Sequence, residues 1–218
     1  VSSAWVLIVD GAGSGAFNMK TDESLLARQQ RADARPSVRI YRWSSPTITH
    51  GRFQEARSIR SWNIAPRHIP LVRRPTAGGA VFHDTDLSFS IAWKRGELFP
   101  KDTRKIYRSI HGAARAALAD QGVKTSFHRR PPGRRDGSAA RPVNLCFSEP
   151  VKDDLMWNGR KVLGGALRFT RWGGLYQGNL TGIQGLVYKD FVDALAGALV
   201  KKIFGRKPVV RRSGGPVK

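Results

Sequence analysis

The segment DLMWNGRKVLGGALRFTRWGGLYQGNLTG, Asp154 to Gly182, decides the fold. Its Asn158–Gly159 pair suits the left-handed backbone of a tight β-hairpin turn, because both residues tolerate positive φ. Apolar, β-branched and aromatic residues flank the turns, so the segment reads as strands joined in hairpins. Working outward, DLSFSIAW (Asp86–Trp93) and SVRIYRW (Ser37–Trp43) alternate as half-buried strands, and SAWVLIVDG (Ser3–Gly11) reads as a short buried strand. HIPLVRRPTAGGAVFHD (His68–Asp84) is strand, glycine turn, strand, and PVNLCFSEP (Pro142–Pro150) is another strand. Helices are predicted after the Gly11–Gly13 turn, with Met19, Glu23 and Leu26 at helical spacing, and again over Asp190–Gly205 on Phe191, Leu195 and Leu199. A third runs from an Asp102 cap to a Gly122 stop, with Ile106, Ile110, Ala113 and Ala117 on one face. Hairpins interleaved with a few helices indicate an α+β domain, a mixed β-sheet flanked by helices.

The chain has 218 residues, enough for one good core, which we assign to residues 1–205. His128–Arg141 is expected to be a mobile basic loop and residues 206–218 a flexible basic tail, both being rich in Pro, Gly and positive charge. The net charge of +22 suits an acidic partner or simple solvation. Nucleic acid is disfavoured, since no zinc knuckle, helix-turn-helix or aromatic RNA-binding signature accompanies the charge. The opening AWVLIV is too short for a signal sequence, no run is long enough to cross a bilayer, and a single cysteine makes no internal disulfide. The expectation is a cytoplasmic protein with no membrane partner.

Several motifs carry candidate chemistry. Gly11, Gly13 and Ala16 match the dinucleotide fingerprint G-x-G-x-x-A, but the acidic residue that motif requires after the next strand is missing near IYRWSS, so the glycines read as a turn. The five histidines lack metal-ligand spacing, and no metal site is implied. Arg73 and Arg74 precede Thr76, Gly78, Gly79 and Ala80, a nearly side-chain-free turn that lets backbone approach an anionic ligand closely. His83 closes the following strand and fits either a structural or a ligand-site role. Lys161 sits just past the Asn158–Gly159 turn with no obvious carboxylate partner, followed by Gly164, Gly165 and Ala166. A cation beside bare backbone suits a reacting carbonyl or phosphate. Cys146 is the only thiol: a small core residue by default, but a candidate thiolate if the Lys161 charge depresses its pKa.

Together these pieces resemble one family, the lipoyl and octanoyl attachment enzymes that share a catalytic domain with biotin ligases. FNMKTDESLL is similar to its N-M-x-x-D-x-x-L helix motif, and YRWSSPTITHGRFQ to its second motif. RRPTAGGAVFHD resembles its R-R-x-[ST]-G-G-G-A-V-[FY]-H-[DE] loop, and DLMWNGRKVLGGALR its D-[LI]-x-x-x-G-[RK]-K-[VI]-x-G-x-A segment. Two positions depart: Ala77 replaces the first loop glycine, and Tyr176–Gln177 stands where family members often carry His before the glycine.

The resemblance implies a biotin/lipoate ligase catalytic-domain fold of class II synthetase type. It implies that Arg73, Arg74 and the glycines line an acyl pocket, that Lys161 contacts the acyl carbonyl, and that Asp154 lies near an adenylate or Mg²⁺ in ligases. The favoured activity is transfer of an octanoyl or lipoyl group through Cys146, without cofactor, from an acyl carrier protein to a lysine of a lipoyl-domain protein. The acceptor would be the glycine cleavage H protein or the E2 component of a 2-oxoacid dehydrogenase. The alternative is an ATP- and Mg²⁺-dependent lipoate ligase working through lipoyl-adenylate. A third reading, from another class, is a non-catalytic binding protein on the same fold.

Overall fold

The computed structural model describes residues 4–61, 68–99, 102–129, 150–205 and 207–212. Among these, β1 (Val6–Gly13), β2 (Ser37–Trp43), β6 (Leu87–Lys94), β7 (Ser126–Phe127), β8 (Leu155–Trp157), β9 (Arg160–Phe169), β10 (Gly173–Leu180) and β11 (Val209–Arg212) form an eight-stranded sheet. Its order is β11-β1-β2-β6-β10-β9-β8-β7. The first two neighbour pairs are parallel and the rest antiparallel, so the sheet is mixed as expected. A three-stranded sheet of β4 (Leu71–Arg73), β3 (Thr47–His50) and β5 (Val81–His83) carries the arginine–glycine loop.

The opening hairpin forms as read: Asn158 and Gly159 both take positive φ, 47° and 75°, and Trp157 pairs with Arg160. Helix α1 spans Gly15–Arg28, α2 Ala56–Ser61, α3 Thr103–Asp120 and α4 Tyr188–Leu199. The Asp102 carboxylate accepts from Arg104 N and Lys105 N, so α3 starts where its cap predicts. The predicted apolar faces of α3 and α4 bury Ile106, Ile110, Phe191, Leu195 and Leu199 against Phe89, Ile91, Leu163 and Tyr176 of the sheet. One face of the sheet is therefore the main hydrophobic core.

Three expectations are corrected. Gly11 and Gly13 lie in β1 rather than in a turn, with a register shift between Val9 and Ala12. In α1 Asp22 points inward and Glu23 outward, because the surface beneath it is polar. His128, the first residue of the basic loop, lies just past β7, and its N–H donates to Asp154 O at 2.7 Å. The tail is in part a strand, since the apolar pair Val209–Val210 aligns parallel to Val6–Leu7 of β1 and satisfies an otherwise open edge. Residues 130–141 of the basic loop lie outside the described residues.

The β11 pairing generates a stability prediction. Deleting residues 206–218 should lower stability by about 1–3 kcal/mol, the net worth of a few backbone hydrogen bonds, and the thermal midpoint by ~2–4 °C per kcal/mol. Thermal unfolding of both proteins checks this, and an unchanged midpoint contradicts it.

Candidate functional site

The second face of the large sheet is polar and buried. Strand register lays two rows across it: Arg39, Ser90, Gln177 and Ala166, then Tyr41, Ser88, Asn179 and Gly164. Alternation in SVRIYRW thus predicted one buried face, whereas Arg39 and Tyr41 on the other face are also buried, beneath α1. A cleft opens beside these rows with about 410 Å³ of empty space, its mouth included. Met19, Trp43 and Val81 give it apolar walls, and Gly164, Gly165 and Gly178 a floor of bare backbone.

The Asp22 carboxylate holds this face together. It accepts from Arg39 Nη1 (3.0 Å), Tyr41 Oη (2.9 Å), Ser90 Oγ (2.8 Å) and Gln177 Nε2 (2.7 Å). Arg39 is fully buried and also donates to Asp10 and to the backbone and side-chain oxygens of Asn18. Buried charges are tolerable only when so fully paired. Burial, reinforced by Asp22, pushes the Tyr41 hydroxyl well above its ordinary pKa, so it stays a donor.

Gln177 passes the network to the arginine–glycine loop, because its Oε1 accepts from Thr76 Oγ1 at 2.7 Å. Within that loop Arg74 is buried and folds back on its own turn, donating to Ala77 O and Gly79 O, both at 2.7 Å. Gly78 has φ +100°, and a side chain there would meet Arg74 Nη2. His83 stacks on Trp43 at 3.8 Å and bonds to Asp86 through Nδ1 and to Thr49 through Nε2. Burial lowers its pKa, with Asp86 opposing.

Lys161 does have a carboxylate partner: its Nζ lies 2.8 Å from Asp154 Oδ2, with both residues buried. The sequence hides this pair because the hairpin and a bulge in the β8–β9 register bring together residues on opposite sides of the turn. The ammonium covers Gly164, where any Cβ would meet Lys161 Nζ at 2.6 Å. Asp154 Oδ2 also accepts from Val151 N, while Oδ1 is buried with no partner among the described residues. Burial raises the Asp154 pKa and Lys161 pulls it back. Helix α3 braces the turn, since Arg108 bonds to Asp153 Oδ1 and His111 Nδ1 to Asp153 O. A carbonyl only accepts, so His111 Nδ1 carries the proton and Nε2 accepts from Tyr176 Oη at 2.7 Å.

Of the residues named from sequence, Arg74, His83, Gly164, Gly165 and Ala166 line the cleft. Thr76 reaches it through Gln177, and Lys161 and Asp154 adjoin Gly164. Gly79 contributes its carbonyl to the Arg74 clamp, while Ala80 packs with Ile48 under the small sheet. Arg73 is exposed and is not among the cleft residues. Cys146 lies outside the described residues. Sequence reasoning missed Asp22 as a buried charge, Arg39, His111, Asn179 and the structural use of Gln177. The available signals were Asp22 in the N-M-x-x-D motif and Arg39 at an alternating position of SVRIYRW.

The family described as "Lipoyl protein ligase A/B catalytic domain" matches residues 14–215. The octanoyltransferase LipM of Kyrpidia tusciae is 32% identical over 164 residues, covering 74% of this chain and 60% of that protein. That of Moorella thermoacetica is 31% identical over 176 residues, covering 80% and 63%. The chain therefore spans about three fifths of the length of the curated relatives it matches. Two solved structures share the fold: lipoate-protein ligase A bound with ATP (TM-score 0.69, 19% identity, 97% and 89% of the two chains) and protein Ta0514 of T. acidophilum with lipoic acid (TM-score 0.70, 21%, 97% and 89%).

Burial lowers the His111 pKa from 6.5 to about 4, with a smaller push from Lys161. Between those values the unfolded chain binds a proton that the folded one refuses, so stability is lost as pH falls from 6.5 toward 4. Between pH ~7.5 and ~4.5 this group should cost about 2–3 kcal/mol. Denaturant unfolding at both values should show that loss in the wild type and a loss smaller by this amount in His111→Gln. Equal losses contradict the assignment.

Proposed function

Because the chain belongs to the lipoyl protein ligase A/B catalytic-domain family, we propose that it transfers an octanoyl group from a carrier-protein thioester to the acceptor lysine of a lipoyl-domain protein. The observation that carries this reading is the Lys161 ammonium, held by Asp154 over Gly164 beside a cleft walled by Met19, Trp43 and Val81. Such a cleft suits a straight acyl chain, each buried methylene contributing about 0.8 kcal/mol. The ammonium is placed for the carbonyl at its head, where charge develops during acyl transfer.

In this reading the Cys146 thiolate attacks the thioester carbon and the carrier thiolate leaves, taking a proton from solvent. The neutral acceptor amine then attacks the enzyme thioester, gives up a proton and releases the Cys146 thiolate. The two steps need neither nucleotide nor metal. In the ATP-dependent alternative Asp154 would stand near Mg²⁺, yet its Oδ2 is committed to Lys161 and Val151, which leaves at most Oδ1.

Intact-mass analysis separates the two readings. Wild type incubated with octanoyl-carrier protein should gain an octanoyl adduct and pass it to a lipoyl domain without ATP. Cys146→Ser should lose the adduct and almost all transfer, because a hydroxyl attacks a thioester far more slowly than a thiolate. Full activity of Cys146→Ser, with every activity requiring ATP, contradicts transfer and leaves the ligase reading.

Lys161→Ala should lower turnover at least ~100-fold. Removing one partner of a buried pair also costs about 3–5 kcal/mol at most, less here because Asp154 can take up a proton. Adding Asp154→Asn should restore much of the stability and none of the activity, as read by thermal unfolding beside transfer assays. Recovery of turnover in the double variant contradicts the role given to Lys161.

A further inference from the structure

The row Tyr41, Ser88, Asn179 and Gly164 contains a donor with no acceptor among the described residues. Trp43 Nε1, which can only donate, bonds to Ser88 Oγ at 3.1 Å. Ser88 must therefore send its own proton on to Asn179, 2.9 Å away, and the atom that receives it is Oδ1. This fixes the amide orientation and turns its NH₂ away from Ser88. Asn179 lines the cleft and is 8% exposed, and its Nδ2 meets no acceptor among the described residues. His83 lies near enough for Asn179 to help hold up its pKa, but both ring nitrogens already face Asp86 and Thr49. A buried donor left unmet is destabilising, and a ligand oxygen would relieve that cost.

The position of that donor is specific. Asn179 pairs across strands with Gly164, the glycine covered by the Lys161 ammonium. Residues paired in this way project from the same face with their Cβ positions about 4.5–5.5 Å apart. The amide and the ammonium therefore flank one spot at the edge of the apolar cleft.

We propose that the Asn179 side-chain amide is a second hydrogen-bond donor, beside Lys161, to the carbonyl oxygen of the acyl group in transfer. The inference rests on the acyl-transfer reading above. As the nucleophile bonds to the acyl carbon, the C=O pair moves onto oxygen and the oxyanion lies between the two donors. The pair then returns as the bond to the leaving sulfur breaks, and the departing thiolate takes a proton from solvent. Ser88 and Trp43 hold the amide in the orientation that this requires.

Asn179→Asp keeps the size of the side chain and the acceptor for Ser88 while removing the donor, and Asn179→Leu removes it without adding charge. Each should lower kcat for octanoyl transfer ~100-fold, the usual loss of one preorganised oxyanion donor, with KM within about threefold. Independently, the Asn179 side-chain NH₂ signal in ¹⁵N-labelled wild type, identified by its disappearance in the variants, should shift when octanamide saturates the protein. Turnover of either variant within about threefold of wild type, or an NH₂ signal unmoved at saturation, overturns the inference and leaves the transfer reading intact. A wild type that transfers no octanoyl group overturns that reading instead, and the NH₂ shift then decides Asn179 alone. Failure of octanamide to bind overturns the inference, and the transfer assay alone then decides the reading.

Discussion

The buried carboxylate of Asp22 is the constraint on which the site depends. It collects donors from β2, β6 and β10 and so fastens α1 to a sheet face that offers little apolar surface. Any one missing donor would leave a charge or a polar atom stranded in a medium that penalises both. Met19 reaches the cleft wall from the same helix, one turn before Asp22, so the cleft is positioned by an electrostatic joint rather than by packing alone. Through Gln177 and Thr76 the joint extends to the arginine–glycine loop that closes the other side.

The sheet divides its work between faces. Helices α3 and α4 cover one face with a continuous apolar core, and that side supplies bulk stability. The opposite face spends its burial on Arg39, Ser88, Ser90, Gln177 and Asn179. The two sides meet at the Asp153–Asp154 turn, where Arg108 and His111 from the apolar side brace the residue next to the Lys161 partner. Asp153 takes φ +73°, a conformation that costs a non-glycine residue energy and is held by those bonds.

What sequence made legible was local chemistry. The Asn158–Gly159 turn, the Asp102 cap and the apolar stripe of α3 each depend on neighbours a few residues apart, and each appears where expected. The candidate site was legible in part: the glycine strand after Lys161 and the Arg74 loop do meet at one cleft. Pairings across distance were not. Asp22 with Arg39 and Gln177, Lys161 with Asp154 across a bulged hairpin, and β11 beside β1 have no periodicity to reveal them. Alternation in β2 and β6 was read as one buried face and one open one, since polar residues ordinarily face water. Here the polar face is roofed by α1, and the buried polar residues mark the site.

The most direct test is the position of a bound acyl group. A crystal structure with octanamide should place the apolar tail between Met19 and Trp43 and the carbonyl oxygen within hydrogen-bonding distance of Lys161 Nζ. An octanamide seated instead in the separate cleft formed by Val6, Ile8, Arg28 and Val209, with the Lys161 cleft empty, would contradict the assignment of the acyl site.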